Sequence, residues 1–535
     1  MVRPERRIRR LGAGPVIIGA VAAGNPLSAR AGARALAGGG TAVDAVIAAA
    51  LTAAVAEAVL TGPGAGGFLL VRPPGGPATV LDFFVAVPGL GPAGRRLDPA
   101  DLHAFTVPFG TAEQVFHIGP ASVAVPGMLA GLDQASRRFG RLPMADLVRP
   151  AVQLAREGVL VGEESAYLHR ILQDMLRHTP ASAAQFTPGG RPAGPGTTLV
   201  LNDLASTLDR FGREGAGCMY QGVVGEEILR YLAATGGLLT PDDLAAYRVV
   251  ERRPVEVGFR DVTVLTNPPP SSGGVLIAAA LDEMQGRPAP ADDEAFYAGM
   301  ARAQAAANAM RGPGFHVGLG EEDFLERFWA AMRAANAGGT PPSRKPTGTT
   351  HVSAIDAEGG MASLSSSNGS GSGVVAPGTG VLLNNMLGES DLNPAGFGSL
   401  PPGARMTSMM APTLLLRGDA PLAAVGSAGS NRLRSAILMV VAGMVDDGLG
   451  PGEAVGRPRV HHEGGGLDVE GGVPACAVTA LGGAGFDLRL WDESNLYFGG
   501  VSAVGVTARG LEAAGDPRRG GGAAGVDDEG RVVDL

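Results

Sequence analysis

From residue 336 the chain runs NAGGTPPSRKPTG, and at 349 it enters TTHVSAID, a strand-like pattern. Gly, Pro, Ser and Lys in that density predict an exposed loop open to proteolysis, residues 336 to 348. The loop divides the chain into a helix-rich part and a strand-rich part. Any fold must therefore bring a buried strand out of a loop whose last residue is Gly348.

Ahead of the loop, the β-branched run from Pro15 to Ala22 predicts a first strand. Leu27 to Leu36 and Ala42 to Val59 read as Ala-rich helices, broken at Gly38-Gly39-Gly40. Phe68 to Val71 and Thr79 to Phe84 predict a hairpin, residues 128 to 235 are mostly helical, and Pro241 opens another short helix. Strand signals return from Val255 to Thr266, and helices follow to about Ala335. Beyond the loop, THVSAID, GMASLSS and GVLLNN read as strands, as do Thr413 to Leu416 and Leu422 to Val425. Ser435 to Asp447 reads as a helix. With 45% apolar residues in 535, the chain can bury a large core, in one big or two ordinary domains.

Several classes of function are excluded. The net charge is −9 and the basic residues are dispersed, so no nucleic-acid footprint is present. Cys218 and Cys476 lie far apart in no motif, which gives neither a disulfide framework nor a zinc site and suits a reduced cytoplasm. MVRPERRIRR followed by LGAGPVIIGAVAAG imitates a signal peptide. Its apolar part is short and broken by Gly and Pro, so the expectation is a cytoplasmic protein. No apolar run approaches the ~20 residues that cross a bilayer.

Gly348-Thr349-Thr350 carries a possible chemistry. A threonine hydroxyl is a poor nucleophile until a base takes its proton, and an N-terminal residue holds its own base in an α-amine titrating near pH ~8. Inside a chain that amine must first be freed by cutting the preceding bond. Thr349 would attack the carbonyl of Gly348, an N-to-O shift would give an ester, and water would release the amine. A glycine there permits strained geometry and leaves the carbonyl open. Read from these residues alone, the plain start of a β-strand, which both threonines favour, is the leading reading.

Eleven collinear segments carry a resemblance that bears on this choice: NPLSARAGARALAGGGTAVDAVIAAALTAAVAE, TGPGAGGFLLV, SVAVPGMLAGLDQASRRFGRLPMADLVRPAVQLAREG, GGLLTPDDLAAYRVVERRPV, PPPSSGG, GTTHVSAIDAEG, GTGVLLNNML, SMMAPTLLL, GSAGSNR, RPRVHHE and GDPRRGGGAAG. Over nearly its whole length the chain resembles the γ-glutamyltranspeptidase family of N-terminal-nucleophile hydrolases. The resemblance implies an α+β fold, a four-layer αββα sandwich. It is made as one precursor that cuts itself into a large subunit, 1 to 348, and a small subunit, 349 to 535, together one intertwined domain. It also implies transfer of a γ-glutamyl or related acyl group from a small amide such as glutathione to water or to an amino-acid or peptide acceptor. No metal or organic cofactor is implied.

Carried over residue by residue, the resemblance makes Thr349 the nucleophile and Gly348 the residue before the cut. Ser366 or Ser367 supplies a hydroxyl beside the nucleophile, and Asn368 matches a substrate-binding asparagine. Gly429 and Ser430 fall where backbone N–H groups form an oxyanion hole. Thr407 and Ser408 replace a serine pair on the substrate α-carboxylate. Glu389 stands where an aspartate binds the α-ammonium, with Asp391 as competitor. Phe84 occupies the position of an arginine that pairs with the α-carboxylate, and a ring cannot replace a bidentate guanidinium. Arg405 and Arg432 are the candidates to compensate. An acylase of the same fold with non-glutamyl specificity, resembling cephalosporin acylases, is therefore the nearest alternative. An unprocessed, non-catalytic relative acting as a binding module is the other.

Other signals are set aside. Gly62 to Gly67 fits G-x-G-x-x-G formally, but a helix precedes it and a strand follows, the reverse of a dinucleotide turn. His461-His462-Glu463 reads as a solvated loop rather than a metal site. His351 is expected to pack in the core rather than act as a base.

Overall fold

The computed structural model describes residues 16–109, 112–312, 314–334 and 348–535. Residues 1–15 of the signal-like stretch, and the predicted loop apart from Gly348, lie outside the described residues. The apolar remainder of that stretch is a strand, Ile17–Ala23, at the heart of the largest sheet.

That sheet has eight strands, and its centre runs Ile17–Ala23, Thr350–Ile355, Met361–Ser367, Gly66–Arg72 and Thr79–Phe83, all antiparallel. A six-stranded sheet contains Thr413–Arg417 and Ala420–Ala428 at its middle. Alternation along each strand feeds two cores. Val21, Leu69, Leu364 and Val352 face one cluster built with helices Pro26–Ala37 and Ala42–Ala56. Ala20, Phe68 and Leu70 face another, shared with Leu414 and Ala424 of the six-stranded sheet. A third cluster packs helices Ser272–Gln285, Asp293–Ala309 and Arg432–Val445 against the six-stranded sheet. Truncating one of these buried leucines to alanine typically costs about 2–5 kcal/mol.

The helix Ala42–Ala56 is buried at every position, which its Ala-rich composition allows. Its start is fixed by a capping box. Thr41 Oγ1 accepts from the Asp44 N–H at 3.2 Å, and the Asp44 carboxylate accepts from the Thr41 N–H at 2.8 Å. The same carboxylate takes the Arg141 N–H at 2.8 Å, tying the helix to a distant loop. The helix stops at Ala56, short of the predicted Val59, and Glu57 is its C-cap.

Most predicted elements are present, and two readings need correction. The strand signals from Val255 to Thr266 resolve into a hairpin, Val255–Phe259 with Val262–Thr266, turned at Arg260, whose φ is +56°. GVLLNN is not a strand. Leu382 and Leu383 make single bridges, and Asn384 and Asn385 turn their amides onto loop atoms, Asn384 Nδ2 donating to the Gly64 carbonyl at 2.8 Å. His461-His462-Glu463 is not a solvated loop but part of the strand Val460–Glu463. His461 shares a 2.6 Å hydrogen bond with Ser435, and Glu463 accepts from Arg311 and Arg434 at 2.6 and 2.7 Å, so burial is offset by pairing. Among the described residues, no helix is long and apolar enough to cross a membrane.

Candidate active site

Thr349 directly precedes the strand Thr350–Ile355 and is buried. Its neighbour strand Met361–Ser367 pairs Thr350 with Ser366. Because successive side chains alternate between faces, Ser367 shares the face of Thr349 while Ser366 shares that of Thr350. The contacts agree. Ser367 Oγ donates a hydrogen bond to the carbonyl oxygen of Gly348, the atom that an attack by Thr349 would charge. Ser366 Oγ is instead hydrogen-bonded to Thr61 Oγ1 at 2.8 Å. Gly348 is tightly held: a Cβ there would lie 2.5 Å from the Gly369 carbonyl and 3.0 Å from Leu60 Cδ2.

A cavity of about 410 Å³ opens on Thr349. Ser367, Glu389, Asp391, Ser408 and Ser430 supply its polar lining; Phe84, Leu392, Leu433 and three methionines supply the rest. Glu389 is buried and accepts from the N–H and hydroxyl of Ser370 at 3.0 and 3.1 Å. Burial first, and the charge of Asp391 beside it, push its carboxyl up to about 7. Ser408 Oγ accepts from the Met410 N–H at 3.0 Å. Phe84 stacks on Phe68 with ring centres 5.5 Å apart.

Ser430 enters the cavity from the turn that joins strand Ala420–Ala428 to helix Arg432–Val445. Gly429 and Ser430 have φ of +125° and +53°. Positive φ is costly for a residue with a Cβ, so a serine held there marks a backbone whose direction is fixed by the turn.

Other predicted residues fall outside the cavity lining. Asn368 is fully buried beside Ser367, and neither its Oδ1 nor its Nδ2 has a partner. Thr407 donates to the Leu392 carbonyl at 3.3 Å. Neither Arg405 nor Arg432 is among the residues lining the cavity. Arg405 donates to the Phe84 carbonyl, to Tyr247 Oη at 2.8 Å and to the Arg248 carbonyl at 2.6 Å. Arg432 lies over the Tyr497 ring, 4.8 Å from its centre. His351 packs in the core as expected. Its Nδ1 and Nε2 bond Ser365 and Ser353 at 2.8 and 3.0 Å, and burial pulls its pKa down to about 3, so the ring is neutral.

On the opposite face of the same strand, Thr350 Oγ1 donates to the Glu57 carboxylate at 3.1 and 3.0 Å. Burial pushes this carboxyl up to about 7, against the hydrogen bond from Thr350 and the charge of Arg519. Glu57 and Arg519 line a second recess that also reaches Thr349. Sequence reading passed over both. The available signal was one acid, Glu57, at the C-terminal end of an Ala-rich helix.

Comparison with known proteins fits this geometry. The sequence profile of the gamma-glutamyltranspeptidase family matches residues 28–526. An acylase ACY 1 proenzyme of Pseudomonas sp. (strain V22) is 32% identical over 518 residues, covering 91% of this chain and 89% of that protein. A glutathione hydrolase proenzyme of Escherichia coli (strain K12) is 29% identical over 485 residues, 83% of this chain and 81% of that one. The crystal structure of a cephalosporin acylase from Bacillus halodurans superposes with a TM-score of 0.81 at 25% identity, covering 98% of this chain and 99% of that one. The chain belongs to the gamma-glutamyltranspeptidase family.

Proposed function

We propose that this enzyme is made as a precursor that cuts itself between Gly348 and Thr349, and that Thr349 then transfers acyl groups from amides to water or to an amine. The contact between the Ser367 hydroxyl and the Gly348 carbonyl carries this reading. It polarises the bond to be cut and stabilises the oxyanion that forms there. In this scheme residues 1–348 and 349–535 remain together as large and small subunits in a four-layer αββα arrangement, in keeping with helices packed against both sheets.

After the cut, the free amine of Thr349 takes the proton of its own hydroxyl, Oγ attacks the substrate carbonyl, and the amine returns the proton to the departing nitrogen. Backbone N–H groups at Gly429 and Ser430 receive the oxyanion, while Glu389 and Ser408, which line the cavity, hold the acyl chain. The donor is a small γ-glutamyl or related acyl amide, and two isolated free cysteines suit a cytoplasmic setting.

The acylase reading, with a non-glutamyl acyl group, is favoured by Phe84 in the cavity wall, where no guanidinium among the described lining residues meets an α-carboxylate. Purified protein on a denaturing gel, followed by mass spectrometry, tests the common core. Two chains, the smaller beginning at Thr349, are expected, and Thr349→Ala should give one uncut, inactive chain. A cut at Gly348 in that variant would overturn self-processing.

A further inference from the structure

The cavity beside Thr349 has a one-signed charge pattern. Among the described residues, its ionisable lining side chains are Glu389 and Asp391, with no basic residue beside them. The two nearby arginines are committed elsewhere. Arg405 donates to the Phe84 carbonyl and lies 3.5 Å from Asp82. Arg432 donates to the Tyr497 carbonyl at 3.2 Å, and its field reaches Asp391 from outside the lining. Beside the uncharged hydroxyls of Ser367, Ser408 and Ser430, the remaining wall is apolar, with Phe84, Leu392 and Leu433 on it.

A carboxylate brought into this space would lose its water beside two acids and gain no cation. An ammonium would lose as much water but meet two carboxylate acceptors, and such charge-assisted bonds are strong. Glu389 already accepts from Ser370 without any cation to balance it. Burial, and then the charge of Asp391, hold its carboxyl up at about 7, and a neighbouring ammonium would draw it back toward the ordinary range.

Resting on the acyl-transfer reading above, we propose that the acyl group this enzyme accepts carries an ammonium and no carboxylate. Its donor substrates are ω-aminoacyl amides, with the ammonium held by Glu389 and Asp391 and the chain lying against Phe84. The step balances as a simple acyl transfer. Thr349 Oγ bonds to the acyl carbon, its proton passes through the Thr349 amine to the leaving nitrogen, and the C–N bond breaks. Water then adds to the ester and releases the ω-amino acid.

The test compares kcat/KM of the mature two-chain enzyme for the p-nitroanilides of 4-aminobutyrate, butyrate, glutarate and γ-glutamate. The 4-aminobutyryl anilide should lead each of the others by at least about tenfold, the smallest factor expected of a buried ionic contact. Asp391→Asn and Glu389→Gln should each pull the ratio of aminobutyryl to butyryl turnover toward one, and Phe84→Arg should move preference to the glutaryl anilide. Should Phe84→Arg not fold, the two carboxylate variants decide. A lead for the glutaryl, γ-glutamyl or butyryl anilide, or a ratio indifferent to both carboxylate variants, overturns this specificity and leaves the hydrolase reading standing. A chain that has cut itself yet turns over none of the four refutes the acyl-transfer reading and this inference with it.

Discussion

The hydroxyl of Ser367 donates to the carbonyl of Gly348, across one strand pairing from Thr349. One rung away, Ser366 bonds Thr61 on the other face of the sheet. Two adjacent serines therefore have separate duties. Ser367→Ala should slow appearance of the two chains by about 10²–10³-fold, the usual effect of removing one oxyanion donor. Ser366→Ala should slow it far less. A time course of band intensities on denaturing gels checks this, and equal slowing would sink the assignment.

Gly348 has almost no free space. A methyl group there would sit 2.5 Å from the Gly369 carbonyl, closer than real Cβ atoms approach. Gly348→Ala should shift that carbonyl away from the Ser367 hydroxyl and leave the precursor largely uncut, while the thermal midpoint falls by no more than a few degrees. Rapid, complete cutting of the variant would show that the strand start tolerates displacement.

His351 is neutral in the fold and charged at moderately acid pH once unfolded. Its folded pKa of about 3 lies below the model-peptide value of 6.5, so between these limits the unfolded chain binds the extra proton. Stability thus rises with pH across that window and is lost as pH falls from about 6.5 toward 3. His316, pulled down to about 4 chiefly by burial, acts in the same direction. His351→Asn should reduce the acid slope of the unfolding free energy by as much as about 1.4 kcal/mol per pH unit. Urea titrations at several pH values between 4 and 6.5 measure it, and an unchanged slope would mean that the ring is already protonated in the fold.

Much of the fold was legible along the chain because its signals are local. The period-two pattern of Val352, Ala354 and their neighbours, the Ala-rich run to Ala56 and the Thr41–Asp44 cap are set by nearby residues. Where the reading failed, distant atoms had intervened. GVLLNN had strand-forming residues, yet Leu382 and Leu383 make only single bridges and Asn384 bonds Gly64 and Ala124 instead. The run HHE looked like a loop, yet Arg311 and Arg434 from other elements make its burial possible.

By itself the sequence determined that Thr349 follows a glycine at the head of a strand, and that Phe84 stands where a guanidinium was expected. Short-range chemistry and residue identity suffice for both. Only the tertiary structure decided that Ser367 rather than Ser366 faces the bond at Gly348, that Arg405 and Arg432 engage the Phe84 carbonyl and the Tyr497 ring outside the cavity lining, and that Glu57 meets Thr350. Those facts depend on strand register and on side-chain direction between segments hundreds of residues apart, which no local pattern encodes.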